Sequence, residues 1–313
     1  MHMEKTKILY IAGYGRSGST VLDTVLGAHP EVESVGELIN APRALFNPIE
    51  YCACGKPVGD CDFWSAVHDE WKKLSGCVDM SVLDSLQHRY ECGRRLPLIW
   101  LARLLKTRGY GRYLHAEQAL YKAIASLSGK RFVVDSSKSP MRAFALSKML
   151  GFDFYVIHLV RDGRGVAWSL MKPIKKDPKA GVQRDLKAKP AWRTALFWVQ
   201  TNVLAELLIG RVLRSKMIRI RYEDFVEKPG STLKKIGDLI GVDYRCVEKK
   251  LVEEQELPVG HTVAGNRARM AGVIKLNADY TWKKRLPKKD NRWFWNIAWP
   301  LAVRYGYKRN SDA

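Results

Sequence analysis

One stretch constrains the chain more than any other: Ile8-Leu9-Tyr10-Ile11-Ala12-Gly13-Tyr14-Gly15-Arg16-Ser17-Gly18-Ser19-Thr20-Val21-Leu22. The apolar run from Ile8 to Ala12 has the composition of a buried strand. Three glycines within six residues break it, and Val21, Leu22, Val25 and Leu26 then recur at helical spacing. A strand running through a glycine turn into a helix start makes an anion site. Successive backbone N–H groups converge there, and the helix dipole favours negative charge.

The spacing Gly13-x-x-x-x-Gly18 is that of a nucleotide P-loop, but Ser19-Thr20 stands where a Walker motif carries Lys-Ser/Thr. That lysine holds the terminal phosphates of ATP beside magnesium. Arg16 is the cation that this loop offers instead. The loop therefore suits a phosphate-like group and is poorly equipped for ATP hydrolysis. The fold class that follows is α/β, a P-loop-type three-layer arrangement with a central parallel sheet flanked by helices.

The remaining elements agree with one such domain over residues 1–313, enlarged by an insertion at about 40–130. Glu31–Val35 reads as a brief strand, and Gly36-Glu37 sits where it ends. Strand ends beside a P-loop are where chemistry happens in open α/β sheets. Residues 63–74, 83–90, 96–105 and 114–127 read as helices of the insertion, which is expected to shape an acceptor pocket. Arg131–Asp135 is a second buried strand, followed by the loop Ser136-Ser137-Lys138-Ser139-Pro140 and a helix over Met141–Leu150. Phe154–Val160 and Met217–Arg221 are further strands. Arg161-Asp162-Gly163-Arg164 turns the former into a helix, and Ser169 lies eight positions past Arg161. A guanidinium fork and a hydroxyl so placed suit a second phosphate.

The formal charge is +21, from 53 basic and 32 acidic residues. It favours an anionic partner, yet no nucleic-acid-binding motif accompanies it. No run of eighteen apolar residues is present, and the N-terminus leads straight into the first strand without a signal peptide. The expected location is the cytoplasm; Trp293, Trp295 and Trp299 offer a surface for peripheral membrane contact, but packing against the core is the preferred reading. Pro300 is expected to interrupt that last segment. Six cysteines at this length do not make a disulfide scaffold. Cys52, Cys54 and Cys61 have no evident fourth metal ligand beyond Asp60 or His68, so a packed or redox-sensitive loop is the preferred reading, and no metal is expected. Residues 172–190 form a basic, proline-punctuated loop, read equally as a lid or as a solvated linker.

Taken together, these motifs resemble the sulfotransferases that use 3′-phosphoadenosine 5′-phosphosulfate (PAPS). Gly13-x-x-Arg16-Ser17-Gly18-Ser19-Thr20 is similar to their 5′-phosphosulfate loop. Val160-Arg161-Asp162-Gly163-Arg164 with Ser169 is similar to their 3′-phosphate motif. Asp135-Ser-Ser-Lys138-Ser-Pro140, Arg221-Tyr222-Glu223-Asp224 and His261…Gly265-Asn266…Arg269 follow in the family's order. Arg16 in place of lysine, and Gly36-Glu37, look like the protein-tyrosine and the bacterial or carbohydrate branches.

The resemblance implies roles. Arg16, Ser17, Gly18, Ser19, Thr20, Arg161, Ser169, Tyr222 and Arg269 bind the nucleotide; Glu37 is the general base; Arg16 and Lys138 stabilise developing charge. The product would be 3′-phosphoadenosine 5′-phosphate (PAP), with no metal. The acceptor is a hydroxyl on a sugar, glycolipid, phenol or tyrosine, in a small molecule, glycan or peptide. Two other readings stay open: a P-loop kinase or nucleotide hydrolase with Asp135 on the metal, and a non-catalytic binder of polyanions.

Overall fold

The computed structural model describes residues 6–46, 50–77, 79–182, 185–277 and 279–309. Its chain begins with strand β1 (Lys7–Gly13), helix α1 (Ser19–Gly27) and strand β2 (Val32–Ser34). The insertion supplies α2 (Ala41–Phe46), α3 (Asp62–Ser75), α4 (Met80–Tyr90), α5 (Leu96–Leu104) and α6 (Arg108–Ser128). Next come β3 (Phe132–Lys138), α7 (Pro140–Leu146), β4 (Asp153–Val160), α8 (Gly163–Leu170) and α9 (Ala191–Leu204). A π-helical turn, Ala205–Ile209, joins α9 to α10 (Gly210–Val212), and β5 (Met217–Arg221) follows. The last part holds α11 (Tyr222–Glu227), α12 (Pro229–Ile240), α13 (Arg245–Val252), the two-residue strands β6 (Leu257–Pro258) and β7 (Val273–Ile274), α14 (Thr281–Arg285) and α15 (Lys288–Arg304).

The five long strands form one parallel sheet in the order β2-β3-β1-β4-β5. Alternate residues of β1 serve opposite faces, as the two-residue period of a strand requires. Ile8 and Tyr10 join Trp64, Trp71 and Tyr113 of the insertion in one core, while Leu9 and Ile11 join Leu22 and Val25 of α1 and Ile236 of α12 in the other. Both faces are covered, which explains why the strands read as continuous apolar runs.

This order also decides where a ligand goes. The connection leaving β1 runs toward β2, and the one leaving β4 runs the opposite way, toward β5. The crevice between their carboxyl ends is the switch point of the sheet. It separates the loop carrying Arg16 from the loop carrying Arg161.

All five core strands stand where the apolar runs place them. Departures come from tertiary packing. The helix expected over Met141–Leu150 closes at Leu146. Pro300 does not interrupt the last segment, because α15 runs through it to Arg304. There Phe294, Trp295, Ala298 and Leu301 pack around Trp198 of α9, and that burial outweighs the lost backbone bond. Trp295 is buried, whereas Trp293 and Trp299 are exposed. By length and composition alone, one helical run among the described residues, Ala191–Val212, is long and apolar enough to cross a membrane. It is not a continuous apolar run, because polar residues such as Thr194, Gln200, Thr201 and Asn202 punctuate it.

Candidate active site

The glycine loop folds as a cradle between β1 and α1. Gly18 has φ +90°, and a Cβ there would lie 2.4 Å from the Tyr222 ring, so only glycine lets the loop seat on that tyrosine. Ser17 is buried and its Oγ has no hydrogen-bond partner within the protein. Buried hydroxyls are usually partnered, so this one has hydrogen-bonding capacity to spare. Ser19 opens α1. Thr20 Oγ1 accepts the Asn266 N–H at 3.2 Å, tying the loop to the 260s segment.

Arg16 leaves the cradle in the left-handed region, φ +70°. Its Nε donates to Ser169 Oγ at 3.0 Å, which brings the first anion loop to α8. Arg161, at the end of β4, donates from Nη1 to the Arg16 carbonyl at 3.1 Å and lies 4.5 Å over the Tyr222 ring. Arg16, Ser169, Arg161 and Tyr222 therefore form one constellation. The Arg16 guanidinium is held below the usual arginine range, first by burial and then by the positive charges of Arg161 and Arg267. Three guanidiniums that repel one another in a partly dry crevice make a site for a polyanion.

Glu37 and Lys138 meet at the neighbouring strand ends. Between Tyr10↔Asp135 and Ala12↔Lys138 the register of β1 and β3 slips, so β3 carries one extra residue. Such a bulge re-aims the side chain beyond it. Lys138, itself at φ +67°, turns its ammonium onto Glu37 Oε1 in an ion pair whose side chains are 19% and 14% exposed. Glu37 Oε2 accepts Asn40 Nδ2 at 3.2 Å, and the Glu37 N–H donates to the Val263 carbonyl at 2.9 Å. Gly265, at φ +100°, brings backbone against this group; a Cβ there would fall 3.3 Å from Glu37 Oε1. Among the described residues, five non-glycines have positive φ, and three of them (Arg16, Lys138 and Ala264) border this site. Each such residue costs about 1–3 kcal/mol, a strain that concentrates at functional positions.

Glu37, Arg16, Asn40 and Arg267 share a cleft of about 280 Å³, faced by Ile174 and Leu186. The latter two belong to the basic loop after α8, where Ile174 pairs with Leu186 and Asp177 with Val182. That loop lies against the site. A larger cavity, about 770 Å³, runs along α5, α6 and α7 beside Trp100, Tyr110 and Phe144, and shares no lining residue with the cleft. Size favours the second cavity, but the convergent charges, the unpartnered hydroxyl and the strained backbone all belong to the first.

Three sequence expectations change. Arg269 does not reach the anion crevice: it is fully buried, donating to Glu50 Oε1 at 2.7 Å and to the carbonyls of Tyr51 and Thr262. Arg267, two residues earlier, lines the cleft instead. Asp135, the metal-holding candidate of the kinase reading, is also spent. It accepts from the Leu38 N–H, Tyr121 Oη, Arg142 Nε and Ser137, with no exposure. Asn40 and Arg267 were missed because nothing marks one polar residue after Glu37, or one arginine in a basic loop, as special. The residue beside Cys52, Cys54 and Cys61 is His261, rather than Asp60 or His68.

Residues 101–245 match the model of a sulfotransferase family. No curated protein sequence matches the chain. Among solved structures, the sulfotransferase domain from the curacin biosynthetic pathway is similar over 97% of this chain and 98% of its own, at 16% identity and a TM-score of 0.51. The sulfotransferase domain of the Synechococcus PCC 7002 olefin synthase aligns over 98% and 97% at 18% identity and a TM-score of 0.46. Sulfotransferase STF1 from Mycobacterium tuberculosis H37Rv aligns over 78% and 71% at 15% identity and a TM-score of 0.44. Identities this low speak for the fold alone, and the first of these likenesses carries it. The middle of the sequence thus matches a sulfotransferase family, and the fold of the chain is similar to that of a sulfotransferase domain.

Proposed function

We propose that this protein transfers the sulfuryl group of PAPS to an acceptor hydroxyl, and that the chain acts as one sulfotransferase domain with residues 40–130 as its insertion. The observation that carries the reading is the convergence of Arg16, Arg161 and Arg267 on a crevice at the switch point of the sheet. A ligand with phosphate groups at two ends matches two anion loops on adjacent strands. The unpartnered Ser17 Oγ fits the same ligand, since an anionic oxygen is the acceptor such a hydroxyl lacks.

In this reading Ser17, Gly18, Ser19 and Thr20 hold the 5′-phosphosulfate, while Arg161 and Ser169 hold the 3′-phosphate. PAPS supplies an electrophilic sulfur, whose bond to the phosphate oxygen breaks as the acceptor oxygen bonds to it. Glu37 takes the acceptor's proton on a carboxylate oxygen. Asn40 and Lys138 aim that carboxylate. Arg16 and Lys138 offset the negative charge on the departing PAP, the role that magnesium has in kinases. No residue assigned here needs a metal ion for the step.

The test is calorimetry with PAP together with transfer of labelled sulfur from PAPS to a panel of sugar, phenol and tyrosyl acceptors. PAP should bind the unmodified protein, and a protein that ignores PAP overturns the reading. Glu37→Gln should leave PAP affinity unchanged and slow transfer by about 10²–10⁴-fold. Near-normal transfer by that variant would remove Glu37 from the role of base.

A further inference from the structure

A second cluster of reactive side chains lies outside the anion crevice. Cys52, Cys54 and Cys61 come from the turn that opens the insertion, and His261 comes from a segment 200 residues beyond Cys61. Their ligand atoms all lie within 4.8 Å of one another. Cys54 Sγ is 3.6 Å from Cys61 Sγ, and His261 Nδ1 is 3.3 Å from Cys61 Sγ and 3.8 Å from Cys52 Sγ. A zinc tetrahedron, with Zn–S of about 2.3 Å and Zn–N of about 2.0–2.1 Å, has S···S edges of about 3.8 Å and S···N edges of about 3.6 Å. The three spacings lie within about 0.3 Å of those edges. They are far from the roughly 2.05 Å of a disulfide, and all three cysteines are free.

The surroundings are built for the same purpose. Backbone N–H groups of Cys54, Lys56 and Trp64 face the sulfurs of Cys52, Cys54 and Cys61 respectively. Such donors steady thiolates around a cation. The His261 ring is stacked on Phe63, with centroids 5.0 Å apart, and its carbonyl accepts Trp64 Nε1 at 2.8 Å. These two contacts fix the ring with Nδ1 toward the sulfurs. Cys52 and Cys61 are buried while Cys54 is exposed, which leaves an entry path.

We infer that Cys52, Cys54, Cys61 and His261 bind one Zn²⁺ in a closed, structural Cys₃His site. Thiolate and imidazole donors select zinc over magnesium or calcium, and four protein ligands leave no open position for catalysis. The metal clamps the Cys52–Cys61 turn to the 260s segment. The two already touch through the Ala53 N–H donated to the Thr262 carbonyl at 3.1 Å. The next residue, Val263, accepts the Glu37 N–H and donates its own N–H to the Val35 carbonyl. The zinc site thus braces, from behind, the backbone that presents Glu37.

The experiment uses the full chain, purified without a polyhistidine tag or chelator. Elemental analysis should find about one zinc per chain. Cobalt exchanged into the site should give the intense visible bands of tetrahedral Co²⁺ with thiolate charge transfer. Cys54→Ser, at the exposed ligand, should retain its circular dichroism and lose zinc affinity by more than about ten-fold. Cys246→Ser, at an exposed cysteine outside the cluster, should keep its zinc. Metal-free protein from zinc-replete medium, a Cys54–Cys61 disulfide found by intact mass, or octahedral cobalt bands would each overturn the inference. PAP calorimetry on the same samples keeps the two proposals apart: a zinc-free protein that binds PAP removes the metal site alone.

Discussion

Two arginine clusters in this molecule are built from the same side chain to opposite ends. Arg142, on α7, is fully buried and surrounded by carboxylates: both terminal nitrogens donate to Glu117 at 2.8 Å, Nη1 also reaches Glu91 at 2.5 Å, and Nε meets Asp135 at 3.2 Å. Tyr113, Tyr121 and Gln87 donate to those carboxylates in turn. Arg16 and Arg161 instead spend their donors on a serine hydroxyl and on carbonyls, with a single exposed carboxylate, Asp279, 3.9 Å from Arg161, and the charges nearest Arg16 are other arginines. A guanidinium saturated by carboxylates is structure. One left beside its own kind, around an unpartnered hydroxyl, is a binding site waiting for charge.

The largest expected effect tests the saturated cluster. Arg142→Met leaves Glu117 and Asp135 in the core without their cation, beside Glu91, whose carboxyl burial pushes up to about 8, and should cost about 3–5 kcal/mol in urea unfolding. A cost below about 1 kcal/mol would mean the carboxyls are protonated and the ion-pair description fails. The unsaturated cluster should behave in the reverse manner. Arg161→Ala removes a repelling charge, so unfolding free energy should stay within about 1 kcal/mol of the unmodified protein. PAP affinity should meanwhile fall by about 10–100-fold, the worth of a hydrogen bond to a charged group. Equal losses of stability and affinity would erase the distinction. Arg267 is exposed, so Arg267→Ala should weaken PAP binding by less than about ten-fold, and added salt should shrink that difference further.

A smaller effect concerns the helix behind the anion loop. Asp23 of α1 is buried, its Oδ2 accepting Ser136 Oγ at 3.0 Å. Burial above all pushes its carboxyl up to about 7. The folded protein then holds this proton more tightly than the unfolded chain, where the carboxyl ionises near pH 4. Stability from Asp23 is therefore present below pH 4 and is lost as pH rises toward 7. Asp23→Asn should abolish that loss, so the variant should gain on the unmodified protein as pH rises from 4 to 7 in parallel unfolding curves. A constant gap between the two curves would show that Asp23 ionises normally in the fold.

The legible parts of the molecule were those written locally. Short apolar or alternating stretches marked the core strands; the glycine loop, Glu37, Lys138 and Arg161 each sat at a strand end or a turn, and Ser169 on the helix that follows Arg161, where sequence spacing reveals them. Helices α11, α13 and α15 were missed because their apolar faces are short or, in α15, punctuated by Pro300. Arg267 and Arg269 show the limit well. They lie two apart in a 3₁₀ turn, Arg267–Ala271, with three residues per turn, so they point to different sides: one into the cleft, the other into the protein. Basic residues at such spacing look alike in sequence.

The sequence alone thus determined an α/β fold with a glycine loop and the residues at its strand ends, because strand alternation, glycine turns and helix starts are encoded within a few neighbouring positions. Tertiary structure alone decided which charges are neutralised, where the sheet reverses its connections, and that His261 joins three cysteines from the far end of the chain. Those outcomes depend on contacts between residues up to 200 positions apart. No local pattern carries them; only the closing of the sheet and the packing of the insertion against it bring the partners together.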